Sequence, residues 1–118
     1  MNVTGKTQHH LGKIRSVKFG LGGYQDVMFG LTLSFSFDRN AEISDFMGSW
    51  DPENIECTPG AKWTEADRDA KLVETCRFIS KIMAEAKVDD VMDLVGKPVS
   101  ITIENSSPKD WRILTEVL

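Results

Sequence analysis

Cysteine is scarce in this 118-residue chain: there are two, Cys57 and Cys76. Two thiols cannot form the dense disulfide framework of small secreted domains, so the expected setting is a reducing cytoplasm. Histidine is as scarce, and His9 and His10 stand side by side near the start instead of being spaced on a rigid element. Neither cysteine has a histidine nearby in sequence, and the chain contains no Gly-x-Ser-x-Gly elbow and no phosphate loop ending in Gly-Lys-Ser/Thr. Metal ligands are missing too. No further Cys or His lies at ligand spacing from the histidine pair, and Asp89, Asp90 and Asp93 lack the calcium-loop pattern. The expectation is a non-enzymatic protein with no cofactor and no metal. No run approaches the roughly eighteen apolar residues of a membrane span, and Met1 to His10 has no apolar signal core, so no membrane association is expected. A basic excess is also lacking: 14 Lys and Arg against 18 Asp and Glu leave a net charge of −4, which argues against a general nucleic-acid coat.

What is present is an ordinary globular composition, 41% hydrophobic and 27% charged, on a chain long enough for one core. A polar tail over residues 1–10 is expected to fray, leaving a single domain over 11–118. Leu11 to Phe19 alternates imperfectly, as an edge or bulged strand would, and Gly20, Gly22 and Gly23 break the pattern. From Val27 to Asp38 every odd position through Phe37 is apolar and faces away from Met28, Gly30, Thr32, Ser34 and Ser36, which predicts a long two-faced strand. Asp38 to Asn40 turns the chain into a third strand over Ala41 to Trp50, with Phe46 and Trp50 on one face. Asp51 to Lys62, with Pro52 and Pro59-Gly60, reads as a surface loop.

Thr64 can cap a helix by accepting the Asp67 amide, while Glu65 and Asp67 place negative charge in its first turn. Leu72, Val73, Cys76, Ile79, Met83 and Ala86 then recur as an apolar stripe over about 23 residues, and Phe78 and Ile82 widen it as if a second chain covered part of it. A short helical turn over Asp89 to Val95 closes at Gly96; Val99, Ile101 and Ile103 alternate as a strand; and Asn105 to Asp110 turns the chain into a last strand over Trp111 to Leu118. The expected fold is α+β: an antiparallel sheet of about five strands, a three-strand meander and two closing strands, with the long helix packed on one face.

Binding is the chemistry left open. Successive glycines can turn their amides toward an anion, and residues 1–40 hold five basic groups against two acidic ones, a balance of +3, whereas residues 41–70 stand at −6. Tyr24, Trp50, Trp63 and Trp111 could each stack on a planar ligand. Tyr24 is the best placed, since it follows the glycines and precedes Gln25 and Asp26. The candidate ligand site is therefore Arg15, Lys18, Gly22, Gly23, Tyr24, Gln25, Asp26 and Arg112. A plain hairpin connection is the competing reading of the glycines, and a helix staple or core role that of the tryptophans.

Gly20-Leu-Gly-Gly-Tyr-Gln-Asp26 with Phe29-Gly30, then Asp45-Phe46-x-Gly48-x-Trp50, Lys62-Trp63-Thr64-Glu65-x-Asp67-Arg68, Val88-Asp89-Asp90, Gly96-x-Pro98-Val99 and the closing Trp111-Arg-Ile-Leu-Thr-Glu-Val-Leu118 resemble a family of small phage and prophage proteins. The order of elements is similar to that of the anti-Thoeris sponge proteins, which sequester cyclic ADP-ribose signals. The resemblance implies a counter-defence protein in the host cytoplasm that holds a small nucleotide-derived ligand as a homo-oligomer. Two alternatives stay open. One is an inhibitor that binds a host defence protein through the acidic stretch Glu42 to Asp69; the other is a single-strand nucleic-acid binder using Lys13, Arg15 and Lys18.

Overall fold

A bulge at Arg15 sets the architecture. In the computed structural model, which describes residues 7–51 and 62–118, strand β1 runs Thr7–Gly22 and pairs with β2 (Met28–Phe37); its register shifts between Ile14 and Ser16. The extra residue changes which side chains face inward: Ile14 before it and Val17 after it are both buried, three positions apart in a strand whose side chains otherwise repeat every two. The imperfect alternation of this segment has its explanation in that one residue.

Strand β3 (Ala41–Trp50) pairs with β2, and β4 (Pro98–Glu104) and β5 (Ser107–Ile113) complete a five-stranded antiparallel sheet in the order β3-β2-β1-β4-β5. Helix α1 (Glu65–Ala86) packs on one face of it. The core lies between them: Ile14, Leu31, Leu33, Phe35, Val99 and Ile101 from the sheet, Ile82 and Ala86 from α1, and Leu94 from a 3₁₀ turn. The α+β class, the strand count and the single covering helix are as the sequence pattern predicts. No helix among the described residues is long and apolar enough to cross a membrane.

Several boundaries differ, each for a physical reason. The strand expected from Leu11 begins at Thr7, because Thr7 to Lys13 supplies the backbone ladder for Glu104 to Pro98 of β4, and backbone pairing does not require apolar side chains. Residues 1–6 of the expected tail, and residues 52–61 of the expected surface loop, lie outside the described residues. The ladder also runs on through Gly20 and Gly22, so these glycines do not end β1; the chain turns at Gly23 to Val27. The final strand starts at Ser107, four residues before Trp111, and stops at Ile113. Asn105 and Ser106, both at positive φ, make a two-residue turn, and Lys109 is the extra residue of a bulge that accommodates Pro108.

The helix stripe is rotated relative to the expected one. Thr75, Ile82 and Ala86 are its buried positions, with Phe78, Ile79 and Met83 partly covered, while Val73 and Cys76 are exposed. Thr75 can occupy the core because its hydroxyl donates to the Lys71 carbonyl at 2.9 Å and so leaves no polar atom unpaired. Phe78 and Ile82 thus serve this domain's own core. The helix start is as read: Thr64 accepts from the Asp67 amide at 3.1 Å and Asp67 accepts from the Thr64 amide at 2.8 Å, a complete capping box.

The sheet curls until its outer strands meet. Trp111 of β5 packs against Phe35 at 4.9 Å between ring centres and edge-on to Phe78 at 5.8 Å, and its indole donates to the Asp45 carboxylate of β3. Burial raises the Asp45 pKa above its ordinary 3.8, against the lowering effect of hydrogen bonds from the Phe46 backbone and from Trp111. Since the folded value is the higher one, the native state binds the proton more tightly than the unfolded chain, and stability declines as pH rises from 3.8 through the folded value. Asp45→Asn keeps an acceptor for the indole and removes the charge. It is expected to gain a few tenths of a kcal/mol at pH 7, a small effect because water screens a half-exposed carboxylate, and to gain nothing at pH 3. Denaturant midpoints at the two pH values measure the difference.

Candidate functional site

The glycine and tyrosine segment forms the tip of the β1–β2 hairpin. Gly23 sits at φ +66°, and Gln25 and Asp26 are also left-handed. The Asp26 amide donates to the Gly23 carbonyl at 3.4 Å and the Val27 amide to the Tyr24 carbonyl at 3.1 Å, so two amides of the segment are spent inside the turn. Tyr24 projects from the tip at 66% exposure. Of the cations read with this segment, Lys18 lies on the exposed sheet face opposite Thr32. Arg15 turns across to Glu42 at 2.6 Å. Arg112 lies on β5, two strands beyond β1, and grips Glu116 through both terminal nitrogens at 3.0 and 2.8 Å, holding that carboxyl down to about 2. The tip residues stand together, whereas Arg15 and Arg112 are committed to carboxylates elsewhere.

Next to the tip lies a cleft that does converge. Gly23 leans on Met28 and Phe46, and Met28 is shared with a cleft of about 230 Å³ lined by Gly48, Trp50, Trp63, Asp67, Arg68 and Lys71. The end of β3 delivers Trp50 and the residue before the helix cap delivers Trp63; their rings stack at 6.2 Å with 21° between planes. Asp51 is buried here, and its amide donates to the Val27 carbonyl at 3.0 Å, tying the end of β3 to the hairpin tip. From the first turns of α1, Arg68 and Lys71, three residues apart, reach one side of the cleft.

Two basic side chains and one acidic one meet in the cleft. Arg68 has a side chain only 12% exposed, and its ion pair is a 3.5 Å contact from Nε to Asp69, which leaves both terminal nitrogens without a partner among the described residues. Lys71 has a 3.4 Å contact with Glu74 on the solvent side. Asp67, the acid in the cleft, accepts from the Thr64 amide at 2.8 Å as part of the capping box. The cleft is a little smaller than the roughly 300–1,000 Å³ of drug-sized ligand sites, which leaves room for about one ring system.

Trp50 and Trp63 were legible as stacking candidates; Arg68 and Lys71 were not. Their sequence signal was an i, i+3 basic pair directly after a tryptophan and a cap, and it was masked by Glu65 and Asp67 in the same turn. Tyr24 and Trp111 lie outside the cleft, Trp111 in the core contacts already described.

The histidines serve the sheet. His9 hydrogen-bonds Thr102 at 3.1 Å, while His10 meets Gln8 at 3.0 Å and packs on Phe37. As neighbours in a strand they face opposite sides and cannot share an ion. Among the described residues no group of three His, Cys, Asp or Glu side chains is placed to hold a metal. Of the acidic stretch from Glu42 to Asp69, Glu42 is paired, Asp45 half-buried, Asp51 buried and Asp67 capped, so these four do not form one open acidic face. No family model, curated protein or solved structure matches this chain.

Proposed function

We propose that this protein is a non-enzymatic binder that sequesters a small, planar, anionic ligand of the nucleotide class, with the ring on the Trp50–Trp63 stack and the negative charge on Arg68. The observation that carries this reading is Arg68 itself: a guanidinium mostly withdrawn from water, beside two stacked indoles, with two nitrogens unpaired among the described residues. A planar fork of donors matches a phosphate or carboxylate, and an indole face accepts a nucleobase. Lys71 adds a second positive charge at the rim. The biological setting proposed is phage counter-defence in the host cytoplasm, with the protein acting as a homo-oligomer; the resemblance of the Gly20 to Asp26 and Trp63 to Arg68 segments to phage proteins is what motivates it.

Intrinsic tryptophan fluorescence and thermal melts against a panel of mononucleotides and cyclic nucleotide signals test the reading. A cognate ligand at a hundredfold excess over its Kd is expected to stabilise folding by about 3 kcal/mol and to change the emission of the Trp50–Trp63 pair. Arg68→Ala should raise Kd by about ten- to a hundredfold, as expected for loss of a charge-assisted bond, while leaving the melting point of the free protein close to unchanged. A panel that shifts neither signal would sink the proposal.

A further inference from the structure

Three strand edges come into question among the described residues, and two of them are protected. Strand β5 carries Pro108 and a bulge, both of which obstruct an incoming strand. Strand β3 is met by α1 and by Trp111 of β5. The third is the distal half of β1. Strand β4 pairs with Thr7 to Lys13, and the Gly96–Lys97 segment bonds Ile14 in both directions at 2.7 and 3.0 Å. Beyond Ile14, Ser16 to Gly22 pair with β2 on one side, and no described strand pairs with them on the other.

This edge carries no inward charge and no proline. Its core-side residues are Val17, Phe19 and Leu21, and the last two are left at 48% and 42% exposure, with Phe19 edge-on to Phe29 at 5.1 Å. Half-exposed apolar side chains beside an unpaired backbone are what a neighbouring strand would cover.

We infer that two copies of this chain pair edge to edge through β1, antiparallel about Phe19. A two-fold axis perpendicular to the sheet keeps each face on its own side, so an antiparallel pair must place one residue opposite itself. With Phe19 there, Val17 falls opposite Leu21 on the core side, which makes an unbroken apolar strip. On the other face Lys18 falls opposite Gly20, and Ser16 opposite Gly22. A Cβ at Gly20 would meet nothing within 4 Å, so the Lys18 stem of the second copy has room to lie there. Every pair is therefore apolar with apolar or a larger side chain with glycine. Centring on Lys18 would instead set two ammonium groups face to face. The Phe19 register also ends the ladder at Ser16–Gly22, beside the Arg15 bulge and short of Ile14 with its Gly96–Lys97 partner. The inference deepens the homo-oligomer part of the proposed function and does not depend on the ligand.

Analytical ultracentrifugation should show a species of twice 13.2 kDa. Phe19→Lys places two charges opposite each other and should weaken the dimer by more than a hundredfold, with circular dichroism unchanged. Register is read by cross-linking in a Cys57→Ser, Cys76→Ser background. Phe19→Cys puts two thiols on a directly opposed pair, whose Cα spacing of about 4.5–5.5 Å falls within the disulfide range, and it should form a disulfide-linked dimer on oxidation. Leu21→Cys, four positions out of register with its own copy and so roughly 13 Å away, should not. A monomer at all concentrations overturns both this interface and the homo-oligomer reading. A dimer that tolerates Phe19→Lys, or one that cross-links through Leu21→Cys and not Phe19→Cys, overturns the interface alone. Ligand binding, read by fluorescence, tests the cleft separately.

Discussion

Phe35→Ala is expected to destabilise the domain by about 3–5 kcal/mol, a large share of the roughly 5–15 kcal/mol that holds a domain of this kind folded. Phe35 is completely buried in the middle of β2, where it pairs in register with Ile14 on one side and Ile43 on the other and packs against the Trp111 indole at 4.9 Å. Truncation would remove the ring from all three at once. The cavity could not close easily, because two neighbours are fixed by backbone ladders and the third is held by its bond to Asp45. The cost is therefore expected near the upper end, and Trp111 emission should shift as its neighbour is lost. Phe35→Leu retains most of the volume and should cost under about 1.5 kcal/mol. Urea denaturation followed by both circular dichroism and fluorescence measures the two variants. A cost below 1 kcal/mol for the alanine variant would mean that the sheet does not close around this residue.

What the sequence made legible was whatever local pattern determines. The period-two stretch from Val27 to Phe37 announces a two-faced strand, and Thr64 with Asp67 announces a helix start, because in each case the physics lies within a few neighbouring residues. Long-range pairing was hidden. Thr7 to His10 has no apolar alternation, yet it forms a strand because β4, more than ninety residues later, needs a partner. The core face of α1 departs from the apolar stripe at Val73 and Cys76 because it takes in Thr75, a polar residue whose hydroxyl is satisfied within its own helix. The candidate site divides in the same way. The Gly22 to Asp26 tip could be read as a turn rich in special conformations, but the separation of Arg112 from it follows from the strand order, and the meeting of Trp50 with Arg68 follows from how α1 crosses the end of β3.

Glycine at 48 illustrates how one backbone position can serve both fold and cleft, and Gly48→Ala is expected to cost about 3 kcal/mol, the upper end of the overpacking range, or roughly 10 °C in melting temperature. Gly48 and Gly30 are register partners on adjacent strands. A Cβ on Gly48 would run into the Phe29 carbonyl oxygen and come within 2.7 Å of the Phe46 ring and 2.8 Å of the Gly30 Cα. A Cβ on Gly30 would collide with the Met47 carbonyl oxygen and approach the Gly48 Cα at 2.6 Å. Most of these obstacles are backbone, so no side-chain rotation relieves them. Gly30 and Gly48 lie on the same sheet face as Met28 and Trp50, where the absence of side chains lets β2 and β3 come this close. Because both methyl groups would claim the same space, a strand separation forced by one should partly accommodate the other. The double variant is thus expected to cost less than the sum of the singles, a coupling that a double-mutant cycle in urea would measure. Gly48 also lines the cleft beside Trp50, so the same substitution should weaken ligand binding even at temperatures where the protein remains folded. An alanine at 48 that cost less than about 0.5 kcal/mol would show that the strands have slack there.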